Sequence, residues 1–340
     1  MSNPVLFASF RPMPRCENIT AMFDAYPGSK VFMNTNEPGF CEAYMSDRYP
    51  VVVMDDFPKW KRKNVIMIWH GIQGGKKIGL DQPMRPYYRL SLADNMTFII
   101  SASEKMIPVW SKCTGVPSER ILPLGFPRTD QYFNNRPKKS NDKITYLYVP
   151  TFRDRFDPKS PEIDWRYIDD ELTDNEELIV KLHPWIASHD AEAETPFRIE
   201  YFKHIKLIEA YMPTTPYLYD ADIVITDYSS IMFDALLLDK PIILFDKRKD
   251  NYFASDYTQY ACERGMYLPY PYGYTDYFVK SESELIETIH MRMANYGITA
   301  EERMCRSITA GACDGHSCER ITALINTLKD SYYSSTTSPL

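Results

Sequence analysis

The chain has 340 residues, of which 44% are hydrophobic and 25% charged, with a formal net charge of −7 at neutral pH. That length suits about two domains with real cores. The acidic balance argues against a nucleic-acid partner, and no apolar run reaches the ~18 residues of a membrane span. Seven cysteines are scattered without a CxxC pair, which argues against a disulfide framework and a zinc site. Most read as small buried apolar residues. The amino terminus has no basic segment followed by a long apolar core, so it does not read as a signal peptide, and the chain reads as cytoplasmic. Charge is uneven along the sequence. Residues 1–140 carry 19 Lys+Arg against 12 Asp+Glu, and residues 141–340 carry 20 against 34. A basic first part implies something anionic to meet, either a membrane surface or a polyanionic substrate.

Strand and helix patterns alternate from the start. Val5–Phe10, Lys30–Met33, Val51–Met54, Val65–Trp69, Thr97–Ser101 and Ile121–Leu124 read as buried strands. Asn18–Tyr26, Phe40–Asp47, Met84–Leu92 and Glu104–Cys113 read as helices between them. A basic patch, Lys59-Trp60-Lys61-Arg62-Lys63, precedes the strongest of these strands. The stretch 136–142 is polar and free of apolar residues, the best linker in the chain. The pattern then restarts with strands at Ile144–Val149, Leu178–Leu182 and Ile205–Glu209, a helix near Trp165–Leu172 and a short helical turn at Pro216–Asp220. Ile223–Thr226, a helix through Leu237 and Ile242–Phe245 form a βαβ unit. The reading weakens through the aromatic stretch 267–278. Helices at Glu282–Ala294, Ala300–Thr309 and Cys318–Ser331 follow, with a frayed tail from Ser334. Two mainly parallel α/β halves are expected, divided as 1–136 and 143–333.

Ligands of open α/β sheets collect at the carboxyl ends of the strands. Four turns at such ends are unusually polar. His70 follows a buried strand and precedes a glycine-rich loop with Lys76 and Lys77. A histidine there can take a proton from a hydroxyl near neutral pH, while the glycines, Gly71 among them, let backbone approach a ligand. Alone, it would read as a strand-end histidine bonded to a carbonyl. Thr151 and Arg153 follow the strand at 144–149, where Arg153 can pair with a phosphate oxygen or simply with Asp154. His183-Pro184 follows the next strand. Asp227-Tyr228-Ser229-Ser230 opens the helix of the βαβ unit, where free amides and two hydroxyls favour a phosphate. A serine pair before a helix is by itself an ordinary cap. The loop at 70–79 is not a Walker A sequence, and neither GxGxxG nor HExxH occurs.

Taken together, Trp69-His70-Gly71 with Lys76-Lys77-Ile78-Gly79, Tyr148 through Asp154, Leu182-His183-Pro184, Ala221-Asp222, Thr226 through Ser230 with Phe233-Asp234, and Lys240-Pro241 resemble the CDP-glycerol glycerophosphotransferase family, whose members build teichoic acids and related phosphate-containing capsule polymers. The motifs run over about 65–250. Cys16-Glu17-Asn18 and Asp314-Gly315 are weaker echoes. The resemblance implies a GT-B fold, two Rossmann-like domains facing across a cleft. It implies transfer of glycerol phosphate or ribitol phosphate from a CDP-polyol donor to a hydroxyl of an anionic, lipid-linked polymer, releasing CMP. By the same resemblance His70 is the catalytic base and His183 a second essential histidine. Thr151, Arg153, Asp227, Ser229, Ser230 and Asp234 line the donor side, and Gly71, Lys76 and Lys77 the acceptor side. No cofactor is implied, with Mg²⁺ left open, and peripheral contact with the inner membrane surface is expected. Two rival readings are a GT-B enzyme using CMP-sialic acid or CMP-Kdo, and a non-catalytic polymer-binding module. His70-Gly71 with its lysines speaks against the first, and retention of both histidines and both serines against the second.

Overall fold

The computed structural model describes residues 3–10, 17–81, 92–134, 136–151, 163–182, 202–209, 212–247, 267–268 and 273–336. They divide into two compact units. Unit 1 holds Met1–Gln73, Ile78–Asn135 and Ser307–Leu340, and unit 2 holds Gly74–Lys77 and Arg136–Arg306. The chain changes unit at Asn135 and Arg136, at the start of the stretch read as a linker. A division into two contiguous stretches does not describe the units, because Gly74–Lys77 belongs with the second and the closing segment returns to the first. The expected helix at Met84–Leu92 falls almost wholly outside the described residues.

In unit 1 the order is β1 (Val5–Ser9), α1 (Glu17–Ala25), β2 (Lys30–Asn34), α2 (Phe40–Met45), β3 (Val52–Met54), β4 (Val65–Ile68), α3 (Leu92–Asn95), β5 (Phe98–Ile100), α4 (Ile107–Thr114) and β6 (Ile121–Leu122). The strands form one parallel sheet in the order β2-β1-β3-β4-β5-β6. Unit 2 runs β7 (Ile144–Tyr148), α5 (Trp165–Glu171), β8 (Glu176–Lys181), β9 (Ile205–Ile208), α6 (Thr215–Asp220), β10 (Ile223–Thr226), α7 (Ile231–Leu237), β11 (Ile242–Phe245), β12 (Phe278–Val279) and α8 (Glu282–Ala294). Its sheet is also parallel, in the order β9-β8-β7-β10-β11-β12. Next comes α9 (Ala300–Ala310), and α10 (Ser317–Thr336) ends the chain as described, running beyond the expected start of a frayed tail.

The strands read as apolar runs because both faces of each sheet are covered. In unit 2, Tyr146, Tyr148, Leu178, Val180, Ile223, Ile225, Ile243 and Phe245 share one face and pack with Ile168 of α5 and Leu285, Ile286 and Ile289 of α8. In unit 1, Leu6, Ala8, Val52, Met54 and Val65 pack with Phe40 and Tyr44 of α2. The start of α10 is fixed by a carboxylate from elsewhere in unit 1. Asp130 accepts from the amides of Ser317 and Cys318, at 3.0 and 2.8 Å, satisfying two helix donors that have no partner within the helix. Arg320 of the same helix donates to the Leu124 carbonyl and pairs with Asp314 at 2.7 Å. The Asp314-Gly315 echo is therefore part of how α10 closes unit 1.

Candidate active site

Read from β9, the sheet of unit 2 has the strand order of a doubly wound nucleotide-binding fold, with the topological reversal between β7 and β10. A crevice opens off the carboxyl edge at such a point. Thr151 follows β7 and Asp227 follows β10 directly. The Asp227 carboxylate is fully buried. It accepts from the Thr151 amide at 3.0 and 3.1 Å, from the Thr151 hydroxyl at 2.8 Å and from the Ser229 amide at 3.1 Å. A buried charge is tolerable when so many donors surround it. The carboxylate thereby locks two turns that lie 76 residues apart.

This alters the roles expected at the turn. Ser230 takes the N-cap position of α7 with αR backbone, φ −64° and ψ −9°, and its side chain makes no capping bond. Asp227 instead holds the Ser229 amide, as in an Asx turn. Both serines are half-buried, and among the described residues neither hydroxyl is engaged in a hydrogen bond. Asp227 faces donors of the Thr151 turn and of its own, the arrangement of a positioning group. Asp234 is buried in α7 at 1% exposure.

Lys76 also belongs here. Its segment is held inside unit 2 by the Tyr274 hydroxyl, which donates to the Gly74 carbonyl at 2.9 Å, and by the Tyr267 amide, which donates to the Gly75 carbonyl at 2.9 Å. Burial pushes the Tyr274 phenol well above its ordinary pKa, so it stays a neutral donor. The Lys76 ammonium sits 5.0 Å over the ring of Tyr228, a cation–π contact that sets a positive charge beside Ser229. Lys76, read from sequence with the acceptor side, is placed by the fold next to the serine turn. Lys77 follows it in the same unit, half-buried.

In unit 1 the carboxyl edge is built differently. His70 stands two residues beyond β4, half-buried, with its ring 4.2 Å from that of Trp69 and edge-on to Phe10 at 5.8 Å. Phe10 follows β1, and the reversal of this sheet lies between β1 and β3. There Ser9 donates to the buried Asp55 at 2.7 Å. Trp69 packs on Phe57 at 5.0 Å. One polar side chain ties the edge together. Asn18, at the start of α1 and 2% exposed, donates to the Trp69 carbonyl at 2.7 Å and accepts from the Arg128 amide at 3.1 Å. Gly71 is buried immediately after the histidine. Gly79, at φ +58°, is required by close packing, since a Cβ there would meet the Cys113 carbonyl oxygen at 2.2 Å.

Arg153 and His183, with Pro184, lie outside the described residues. The fold thus brings Thr151, Asp227, Ser229, Ser230 and Lys76 together in unit 2 and sets His70 and Gly71 at the edge of unit 1. Sequence reasoning missed Ser9 and Asp55 as members of that edge. Their signal was present, a serine and an acid each placed just where a buried strand ends.

Two parallel six-stranded sheets of this kind define the GT-B class, two Rossmann-like domains. The wall teichoic acid polymerase TagF has the same fold, with a TM-score of 0.76 at 19% identity over 99% of this chain and 90% of that one. A putative UDP-N-acetylglucosamine 2-epimerase from Listeria monocytogenes is also similar, at a TM-score of 0.58 and 11% identity over 97% of this chain and 98% of that one, so the fold by itself does not select the chemistry. Residues 20–327 match the family model described as CDP-Glycerol:Poly(glycerophosphate) glycerophosphotransferase, and the chain belongs to that family. Among its relatives are a teichoic acid poly(ribitol-phosphate) polymerase of Bacillus spizizenii, 26% identical over 278 residues, covering 74% of this chain and 42% of that protein. A teichoic acid glycerol-phosphate primase of Bacillus subtilis is 26% identical over 226 residues, covering 59% of this chain and 57% of that protein. The chain spans about half the length of these curated relatives.

Proposed function

We propose that this protein is a phosphotransferase that moves a polyol phosphate, glycerol phosphate or ribitol phosphate, from a CDP-linked donor to a hydroxyl of a teichoic acid or related polyol-phosphate chain, releasing CMP. The observation that carries this reading is the Thr151–Asp227–Ser229 turn at the reversal point of the second sheet, with two hydroxyls unengaged among the described residues and a lysine beside it. Relatives named for both glycerol-phosphate and ribitol-phosphate transfer support the class, as does a TagF variant, histidine replaced by asparagine, soaked with CDPG.

In this assignment the hydroxyls of Ser229 and Ser230 donate to the donor's phosphate oxygens, and Lys76 stabilises their charge. Asp227 touches no substrate and keeps the turn in shape. His70 accepts the proton of the acceptor hydroxyl as its oxygen forms the new bond to phosphorus. The bond from that phosphorus to CMP breaks, and CMP leaves with the electron pair. His183, by family resemblance, stabilises the phosphate being transferred. Asn18 holds the Trp69 carbonyl and so the backbone from which His70 projects. Most of the rate gain in such a step comes from positioning and charge stabilisation. The basic excess before residue 140 suits an anionic, lipid-linked acceptor at the inner membrane surface, with the protein acting from the cytoplasm. Among the described residues no helix is long and apolar enough to cross a membrane.

The test is CMP release from CDP-glycerol and from CDP-ribitol, with a glycerol-phosphate oligomer as acceptor. Acceptor-dependent release is expected from one or both donors, falling by about 10²–10⁴ in His70→Ala, as for loss of a general base. Release that is absent with both donors, or unchanged in the variant, overturns the assignment.

A further inference from the structure

Unit 1 carries a second concave site at the amino ends of its strands, opposite to His70. Lys61, Arg62, Lys63, Asp94, Met96, Thr97 and Arg120 line a cleft of about 410 Å³. That volume is in the range of small-ligand sites, about 300–1,000 Å³. The lining comes from the segments that lead into β4, β5 and β6, which are neighbours in the sheet. His70 lies past the far end of β4, and four strand residues span about 13 Å. The two places are therefore separate.

The charge of the cleft is one-sided, with four cations and one carboxylate, Asp94. The guanidinium groups are anchored to neutral partners. Arg62 donates to the carbonyls of Ser46, at 3.0 Å, and Tyr49, and stacks on Tyr44 at 5.7 Å. Arg120 donates to the carbonyls of Ala93 and Met96, both at 2.5 Å. Carbonyls orient a guanidinium without cancelling its charge. Among the described residues none of the four cations forms a salt bridge, and the Nε atoms of Arg62 and Arg120 are buried without a hydrogen-bond partner. Burial pushes Arg62 below its ordinary pKa, only partly offset by Tyr44, Asp47 and Tyr332. Thr97 accepts from the Val65 amide at 3.0 Å, which leaves its hydroxyl hydrogen to donate. Planar guanidinium donors around a positive recess match the several acceptor oxygens of a phosphate group.

We propose that this cleft is an anion site that takes a phosphate ester of a flexible polyol-phosphate chain, at a distance from the residues that carry out transfer. The recess favours one protruding phosphate over a continuous anionic surface, because its guanidinium groups are set back and Asp94 shares the lining. The inference rests on the proposed function only for the identity of the chain that carries the phosphate.

The experiment reads binding and needs no turnover, so it fails separately from the assay of CMP release. A fluorescent glycerol-phosphate oligomer is titrated against the whole chain, against Lys61→Glu/Lys63→Glu and against Lys112→Glu, with vesicles containing phosphatidylglycerol as a parallel ligand. Lys61 and Lys63 are exposed, and Lys112 is a 75% exposed lysine elsewhere in unit 1. The double reversal is expected to weaken oligomer binding by about tenfold or more, with the deficit shrinking as salt rises. Lys112→Glu is expected to match wild type. Equal oligomer affinity in the double variant overturns the site, as does an equal loss in Lys112→Glu. A loss confined to vesicle binding replaces the polymer with a lipid headgroup and overturns the proposal in that form.

Discussion

The turn after β10 and the end of β4 face the same task, aiming a polar group beyond the carboxyl edge of a parallel sheet, and meet it with different chemistry. At the turn, a buried carboxylate gathers two amides and a hydroxyl from two separate loops. Hydrogen bonds to a charged group contribute about 1.5–3 kcal/mol each. At the end of β4, the histidine is flanked by aromatic rings, and its backbone is held by one neutral amide. Such ring contacts contribute about 0.5–1.5 kcal/mol and fix a ring plane only loosely. Under the proposed function, the phosphate must be held in line while charge shifts towards the leaving group, so donors that hold it gain from rigidity. Under the same function, a base must pick up a proton and release it, and an imidazole set among aromatic rings suits that work.

The sharpest way to break this comparison is Asp227→Ala. Removal of the carboxylate leaves the Thr151 amide and hydroxyl and the Ser229 amide without their acceptor in a fully buried place. The turn then loses its shape, and KM for the CDP donor is expected to rise by about 100-fold, the size of two lost charged hydrogen bonds. KM for the acceptor should move much less. A folded Asp227→Ala protein with unchanged donor KM would separate this turn from the donor altogether.

Much of the fold was legible because local pattern and tertiary burial agree. The βαβ unit has its expected strands, Ile223–Thr226 and Ile242–Phe245, and α8 has its expected bounds. The structure adds the cap at the start of α8, where Ser281 accepts from the Glu284 amide at 3.3 Å. The misses are non-local. β8 begins at Glu176, two residues before the expected start, since buried Glu176 and Glu177 find donors at Thr173, Thr145 and Asn141. No local pattern announces two consecutive acids inside a strand. The two-residue β12 exists only by pairing with Leu244 and Phe245. At the candidate site, Thr151, Ser229, Ser230 and His70 were visible as polar residues at strand ends. The role of Asp227 and the company of Lys76 were not, because each depends on a loop distant in sequence.

A smaller effect is expected at the other edge, and it tests how loosely His70 is held. Asn18→Asp keeps an oxygen to accept from the Arg128 amide but loses the N–H that donates to the Trp69 carbonyl. If that bond sets the direction of His70, kcat should fall by roughly tenfold, about 1.4 kcal/mol, while donor KM stays near wild type. Asn18→Ala, which loses both bonds, should match it in kcat and also lower the thermal midpoint. A general loss of stability would move kcat and KM without that split. Wild-type kcat in Asn18→Asp would mean that the Asn18 bond does not set the direction of the imidazole.

The smallest effect concerns a buried charge that, unlike Asp227, has not been given matching partners. Lys240 lies between α7 and β11, 8% exposed, and donates to the Tyr219 carbonyl at 3.1 Å. Burial, reinforced by Arg136 and Lys139 and opposed by Asp222 and Asp220, lowers its pKa from 10.5 to about 8. Between those two values the unfolded chain holds a proton that the folded chain has released. Stability therefore rises with pH across that window, the reverse of what a lysine in a close ion pair would give. From pH 7 to pH 9 the lysine should contribute a gain of about 1 kcal/mol, seen as a thermal midpoint a few degrees higher than other titrating groups alone would give. Lys240→Met keeps the apolar stem and removes the charge, so its midpoint should be higher than wild type at pH 7, with the difference narrowing at pH 9 and closing only as pH passes the unfolded value of 10.5. A constant offset between the two proteins across that range would mean that the ammonium is solvated in the fold. The contrast drawn with Asp227 would then hold for the carboxylate alone.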